Sequence, residues 1–250
     1  MKKHTRIETI KNILMQRGFC SINELFDEIE ASQSTVRRDL TILEKQGFIE
    51  RYHGGAVYAE YAMLSYLKRM HINREAKDEI GKKAAMLVKD NQTLILGAGS
   101  TVSILGNYLI SKRGLTIITP SVSIAKQLSN KDDFTVILTG GVLDLETHSL
   151  TGHLAELSIQ QIHTDTAFIG CDSISSSLNV MNVSFDIAAL KKCILNASVE
   201  KILIADHTKF GKVHLASIGN ISQFDKLVVD SKLHEDYVKR ITDLGVEVII

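Results

Sequence analysis

The chain has 250 residues, 44% of them hydrophobic and 23% charged, which is the composition of an ordinary globular protein with room for one medium and one small domain. Twenty-nine basic residues balance 29 acidic ones, so no global field argues for nucleic acid or membrane, and such a partner must be met by a local patch. No apolar run approaches the roughly 18 residues that span a bilayer, and the start MKKHTRIETIKNIL lacks a signal-peptide core, so a cytoplasmic protein with no membrane partner is expected.

Ile7, Ile10, Ile13 and Leu14 recur at helical spacing, and Gly18 is placed to stop that helix. Ser21 followed by Glu24 is a capping box ahead of Ile22, Leu25, Phe26 and Ile29. Ser32 is an N-cap for a third helix running to about Gln46, with Gly47 as its stop. Three short helices with a tight second connection make a helix-turn-helix pattern. On the third helix Val36, Leu40 and Leu43 form the buried stripe, and Ser34, Arg38, Thr41 and Lys45 lie opposite, with Arg37 on the flank. Arginine reads guanine edges or clamps phosphates, and short hydroxyl side chains allow close approach to a groove. Residues 1–56 carry nine Lys/Arg against eight Asp/Glu, so charge alone leaves an ordinary solvated face equally open. The following FIERYHGGAVY reads as a β-hairpin wing with Arg51 and His53 as phosphate contacts, which favours DNA.

Residues 58–77 have no Gly/Pro/Ser-rich composition and read as a partly helical connector, its tyrosines, Met63, Leu64 and Leu67 serving core or interdomain packing ahead of the alternative, a dimer contact. From residue 78 to 250 helical segments alternate with short apolar strands: TLILG, LTIIT, FTVIL, DTAFIG, KILIAD, FDKLVVD and VEVII. Their β-branched, continuous character is that of buried parallel strands in an open α/β sheet covered on both faces. Ligands bind such sheets beyond the carboxyl ends of the strands. Gly97-Ala98-Gly99-Ser100-Thr101 leaves the first strand and opens a helix, a seat for phosphate at a positive helix end. Ser121 follows the second strand, Gly140 and Gly141 the third, Asp172 a later one, and Lys209 the one after. A dinucleotide site is not supported, because Val102 replaces the third glycine and no acid ends the second strand; a Walker lysine is missing too. Cys20, Cys171 and Cys193 lack CxxC spacing and the nine histidines lack HxxxH pairing, so reduced thiols and neither metal nor cofactor are expected.

The run S-x-x-TVRRDL-x-x-LE-x-x-G-x-I-x-R-x-HGGA over Ser32–Ala56 resembles the signature of the DeoR-type bacterial repressors of sugar operons. GAGSTV at 97–102, TGG at 139–141, Gly152, AFIG at 167–170 and ADHTKFGK at 205–212 are similar to the effector domain of that family, itself similar to ribose-5-phosphate isomerase. The resemblance implies a winged helix-turn-helix over 1–57, a connector over 58–77 and an α/β effector domain over 78–250. It implies operator DNA bound by Ser34, Thr35, Arg37, Arg38, Thr41, Arg51 and His53, and a phosphorylated sugar or related metabolite that modulates repression. Gly99, Ser100 and Thr101 would hold the phosphate and Asp172 and Lys209 face the sugar, with Gly97, Ser121, Gly140 and Gly141 around them. Two departures border this pocket: Gly97 stands where the family commonly has an acid, and Pro120 where it commonly has asparagine. Two reading helices one DNA turn apart require a homodimer or homotetramer. The competing reading is a sugar-phosphate isomerase-like enzyme carrying a helix-turn-helix module, with Asp172 and Lys209 in catalytic roles.

Overall fold

A computed structural model describes residues 3–17, 19–29, 31–52, 55–58, 65–145 and 147–250. The chain divides into two units, Met1–His71 and Ile72–Ile250.

In the first unit α1 (Lys3–Arg17), β1 (Phe19–Ser21), α2 (Ile22–Glu28), α3 (Gln33–Lys45), β2 (Ile49–Tyr52) and β3 (Gly55–Tyr58) follow in chain order, then α4 (Ser65–His71). Ser21 accepts from the Glu24 amide at 3.1 Å, and the Glu24 carboxylate accepts from the Ser21 amide at 2.7 Å, closing the capping box that starts α2. Ser32 caps α3 through the Thr35 amide. Ile10 and Leu14 of α1 meet Leu25 of α2 and Val36, Leu40 and Leu43 of α3 in a core from which solvent is excluded. Asp39 is also buried on α3, and Arg6 of α1 answers it with two guanidinium nitrogens, so the charge that fixes α3 comes from 33 residues away. The wing is a three-stranded antiparallel sheet in the order β1-β3-β2, with β1 supplied from between α1 and α2.

The second unit opens with α5 (Arg74–Met86), β4 (Thr93–Leu96), α6 (Ser100–Leu109), β5 (Thr116–Thr119), α7 (Val122–Leu128) and β6 (Thr135–Leu138). It continues with β7 (Val142–Asp144), β8 (Ser149–Thr151), α8 (His153–Gln160), β9 (Thr164–Ile169), β10 (Ser173–Ile174) and β11 (Asn179–Asn182). Then come α9 (Phe185–Asn196), β12 (Ser198–Ile204), β13 (Ala216–Asn220), β14 (Lys226–Val228), α10 (Glu235–Thr242) and β15 (Glu247–Ile249). Seven strands pair in parallel in the order β15-β14-β12-β9-β4-β5-β6. Alternation along the strands sends Leu94, Leu96, Phe168, Ile202 and Ile204 to one face, against Ile80, Leu105 and Ile124. Ile95, Ala167, Ile169 and Leu203 go to the other, against Ile159, Leu190 and Ile194. Both faces of the sheet are therefore covered by helices.

Three features differ from the sequence expectation. The helix expected from Asp78 starts at Arg74, inside the expected connector, because Asn73 makes the break with a left-handed φ of 52° where no Gly or Pro marks one. The β7–β8 hairpin and the small antiparallel sheet β10-β11-β13 were not legible as separate sheets, their strands being only two to five residues long. FTVIL was expected as a buried strand, but β6 is the edge of the large sheet, with Ile137 and Leu138 nearly half exposed. An apolar run gives burial tendency and not position in the sheet.

The turn from β6 into β7 needs glycine for a reason that can be measured. Gly141 has φ +116°, and a Cβ there would stand 2.5 Å from the Thr151 carbonyl oxygen, whereas Gly140 has φ +73° and open space around it. Gly141→Ala is expected to destabilise the protein by about 2–3 kcal/mol and Gly140→Ala by about 1 kcal/mol in urea unfolding. Equal losses would show that contact with Thr151 is not what selects glycine at 141.

Candidate nucleic-acid interface and effector site

On α3 the buried stripe leaves Ser34, Arg37, Arg38 and Lys45 exposed and Thr35 and Thr41 half-buried. Ser34 and Thr35 gather with the Ser32 cap, their hydroxyls each 2.9 Å from the Ser32 Oγ. Arg37 and Arg38 are both exposed, off the buried stripe. Thr41 is already engaged: its hydroxyl donates to the Arg37 carbonyl and accepts from Arg51 Nη1 at 2.8 Å. Arg51 thus braces the wing strand β2 against α3, with Glu44 at 3.9 Å, instead of pointing freely outward. His53 lies outside the described residues.

In the second unit the loops expected to hold a ligand leave the carboxyl ends of the parallel strands. β12, β9, β4, β5 and β6 are consecutive neighbours, so 206–209, 170–172, 97–101, 119–121 and 139–141 line up along one edge of the sheet. Gly97 continues the ladder, donating to the Phe168 carbonyl at 3.0 Å, and a Cβ on it would sit 3.2 Å from that same oxygen. Gly99 is the N-cap of α6, with φ 136° and no side chain to cap the first-turn amides; a Cβ there would meet open space. Its demand for glycine is one of backbone conformation, and the helix start is left for an outside acceptor. Ser100 and Thr101 are almost fully buried beside it. Ser121 differs from its expected role, since it is fully buried and its hydroxyl caps α7 through the Ile124 amide at 3.3 Å. Gly140 and Gly141 are exposed.

Two residues at this edge, Lys77 and Asn73, escaped the sequence reading, and the partners they meet, Ser100 and Asp206, lie in loops already expected there. Lys77 of α5 is buried, and its ammonium donates to the Ser100 hydroxyl at 2.9 Å, placing a positive charge at the start of α6. One turn earlier on α5, Asn73 donates to the Asp206 Oδ1 at 3.2 Å and to the Thr208 hydroxyl at 3.0 Å. Asp206 is buried; its Oδ1 also accepts from the Thr208 amide and hydroxyl, while its Oδ2 has no hydrogen-bond partner among the described residues. The i, i+4 spacing of Asn73 and Lys77 is the only sequence signal that could have joined them, and their partners lie 23 and 133 residues away.

Asp172 is positioned by a second network. Lys191, buried on α9, donates to the Gly170 carbonyl and to Asn182 Oδ1, both at 2.9 Å. Asn182 in turn donates to Asp172 Oδ2 at 2.6 Å, and the Val183 amide adds a bond of 3.0 Å to the same oxygen. Lys191, Lys209, Asp172 and Asp206 all act electrostatically on the Cys171 thiol. Burial pushes that thiol up to about 12, Asp172 and Asp206 add to the rise, and the two lysines oppose it. Among the described residues no His/Cys/Asp/Glu cluster has the makings of a metal site, and no helix is long and apolar enough to cross a membrane.

A thiol held neutral at ordinary pH is a poor nucleophile. Cys171 is expected to resist iodoacetamide at pH 8 in the folded protein and to react once unfolded, as read by mass spectrometry of the trapped peptide. The folded state keeps its proton while the unfolded thiol ionises near its ordinary value, so this group's contribution to stability falls as pH rises from about 9 to 12. Modification of the folded protein at the unfolded rate would contradict the raised pKa.

Two family models match the chain: the DeoR-like helix-turn-helix domain over residues 6–62 and the DeoR C terminal sensor domain over residues 72–231. The HTH-type transcriptional regulator GolR of Listeria innocua is 33% identical, over 98% of this chain and 97% of its own length. The lactose phosphotransferase system repressor of Streptococcus mutans is 33% identical over 92% and 93%. The glycerol-3-phosphate regulon repressor of Escherichia coli is 29% identical over 97% of each. Among solved structures, ribose 5-phosphate isomerase A of Methanocaldococcus jannaschii aligns over 56% of each chain with 19% identity and a TM-score of 0.41. With its reading helix, its wing and its parallel-sheet sensor matched by both models, the chain belongs to the DeoR family of helix-turn-helix transcriptional regulators.

Proposed function

We propose that the protein is a repressor of a carbohydrate-utilisation operon whose hold on operator DNA is set by a phosphorylated sugar or related metabolite bound at the carboxyl edge of the large sheet. The observation that carries this reading is the start of α6, where uncapped first-turn amides, the Ser100 hydroxyl and the buried Lys77 ammonium converge. That combination is the chemistry of a phosphate seat: an aligned helix end, a hydroxyl and a cation. Asp172 and Lys209 supply polar groups for sugar hydroxyls beside it. The names of the relatives point the same way, one regulating a lactose phosphotransferase system and another a glycerol-3-phosphate regulon.

Binding without turnover fits the carboxylates better than isomerisation does. A general base must reach its substrate with a free lone pair, and Asp172 Oδ2 already accepts from the Asn182 side chain and the Val183 amide. Asp206 is buried with one oxygen held by Asn73 and Thr208. The protein acts in the cytoplasm as a homodimer or homotetramer, because two copies of α3 must reach successive major grooves. The ligand shifts operator affinity only through its different affinity for the bound and released states.

A panel of pentose and hexose phosphates, glycerol 3-phosphate and the unphosphorylated sugars tests the pocket by thermal shift, followed by gel shift on operator DNA. A phosphorylated member at 100 times its dissociation constant adds about 2.7 kcal/mol of stability. Lys77→Met, which replaces a buried ammonium by an apolar side chain of similar length, is expected to weaken that ligand about 10- to 100-fold, a loss read against the melting temperature of the free variant, which also loses the buried contact with Ser100. No shift with any phosphorylated compound would reject the sensor reading, and turnover of one would revive the isomerase. On the DNA side, Arg38→Ala is expected to cost about 1–3 kcal/mol of specific operator affinity. Gel shifts unchanged by the double change Arg37→Ala/Arg38→Ala would remove α3 from the groove.

A further inference from the structure

The two edges of the large sheet are finished differently. β15 carries Glu247, ion-paired with Lys226 of β14, so charged side chains guard that border. β6, at the opposite edge, reads TVIL and has no charge at all. Residues 132–190, which contain β6, the β7–β8 hairpin and α8, hold no lysine or arginine. Exposed edge strands are ordinarily blunted by lysine, proline or a bulge, because their free N–H and C=O groups invite another strand. β6 has none of these protections.

The same region exposes apolar side chains. Ile137 is 46% exposed and Leu138 45% on β6, Val142 72% and Leu143 43% on β7, and Leu154 66% and Leu157 39% on α8. The hairpin and helix members are joined in space: Val142 pairs with Thr151, and a Cβ on Gly141 would lie 3.1 Å from the Ala155 Cβ, so the start of β7 leans on the start of α8, with β6 directly preceding β7 in the chain. These six side chains present roughly 550 Å² of exposed surface, near the upper limit of what a monomer leaves bare and most of the ~800 Å² that one partner gives to a standard interface. A patch without cations does not suit an anionic lipid surface or nucleic acid.

We infer that this face, β6 with the β7–β8 hairpin and the outer side of α8, is where a second copy of the chain docks. A two-fold axis beside the strand sets β6 antiparallel to its mate, so the open backbone groups satisfy one another and the apolar side chains on hairpin and helix meet their own counterparts, an isologous contact that closes on itself. The uncharged strand suits self-pairing about the two-fold axis, where a charge would face its like, and the proposal requires the acids of the neighbouring segments, Asp144 of β7 and Glu156 of α8, to lie off that axis. This deepens the oligomer proposed above by giving it a surface, and the surface borders the Gly140–Gly141 loop at the same edge as the proposed ligand.

Light scattering behind size exclusion on the full chain at micromolar concentration tests the inference. The wild type is expected at an even multiple of 27.7 kDa, and Val142→Lys, alone or with Leu154→Lys, at half the wild-type mass. Both positions are well exposed, so the melting curve by circular dichroism is expected to be unchanged, and Val199→Lys, at an exposed site on β12, is the control that keeps the wild-type mass. A monomeric wild type overturns both the surface and the oligomer. Wild-type mass retained by the folded Val142→Lys/Leu154→Lys protein overturns the surface alone. Should the double variant fail to fold, Val142→Lys decides by itself.

Discussion

Parallel pairing is the constraint on which the second unit depends. When strands run the same way, every one of them ends on the same border, and each must be followed by a crossover that begins there. Five loops of different sequence are thereby delivered to one line, and the starts of α6 and α7 stand on it with their amides facing outward. The polar residues along that line follow from topology before any of them is chosen for chemistry. What selection adds is which helix start is capped from within. Ser121 closes α7 on itself, whereas Gly99 leaves α6 open.

The reading unit was the most legible part of the chain, because its signals are local. Ser21 with Glu24, Ser32, and the Val36–Leu40–Leu43 spacing each act within one or two turns, and each formed where expected. The strands of the large sheet were legible as apolar runs, but β6 showed the limit of that signal: the same four residues suit a central strand or an edge. Lys77 and Asn73 were not legible at all, although the Asp206 loop that Asn73 meets was. A lysine and an asparagine on a helix read as solvated polar side chains, and only the folded chain carries them to Ser100 and Asp206. Asp39 is the corresponding case in the first unit, a charge in a polar helix that burial turns into an obligatory partner for Arg6.

The basic residues of the first unit divide into those paired within it and those left exposed. With formal charge balanced over the whole chain, attraction to phosphate has to come from where cations are left unspent. Arg6 is spent on Asp39, and Arg51 on Thr41 and Glu44. Arg37 and Arg38 remain exposed on α3. The arginines that build the winged unit and those available to a ligand are thus different residues, although the sequence presents them as equals.

Asn73 and Lys77 sit within the first six residues of the second unit, directly after the chain leaves the first. The position of a cut there decides what a fragment still contains. A piece begun at Ile72 keeps both the amide that holds Asp206 and the ammonium that meets Ser100. One begun at Asp78 keeps every strand and loop of the sheet but neither of those contacts. Asp206 would then be buried without its Asn73 donor, and Ser100 would lose its cation. A protease or a gene truncation separated by two turns of helix would therefore leave two pieces alike in fold and unlike in what their sheet edge can hold.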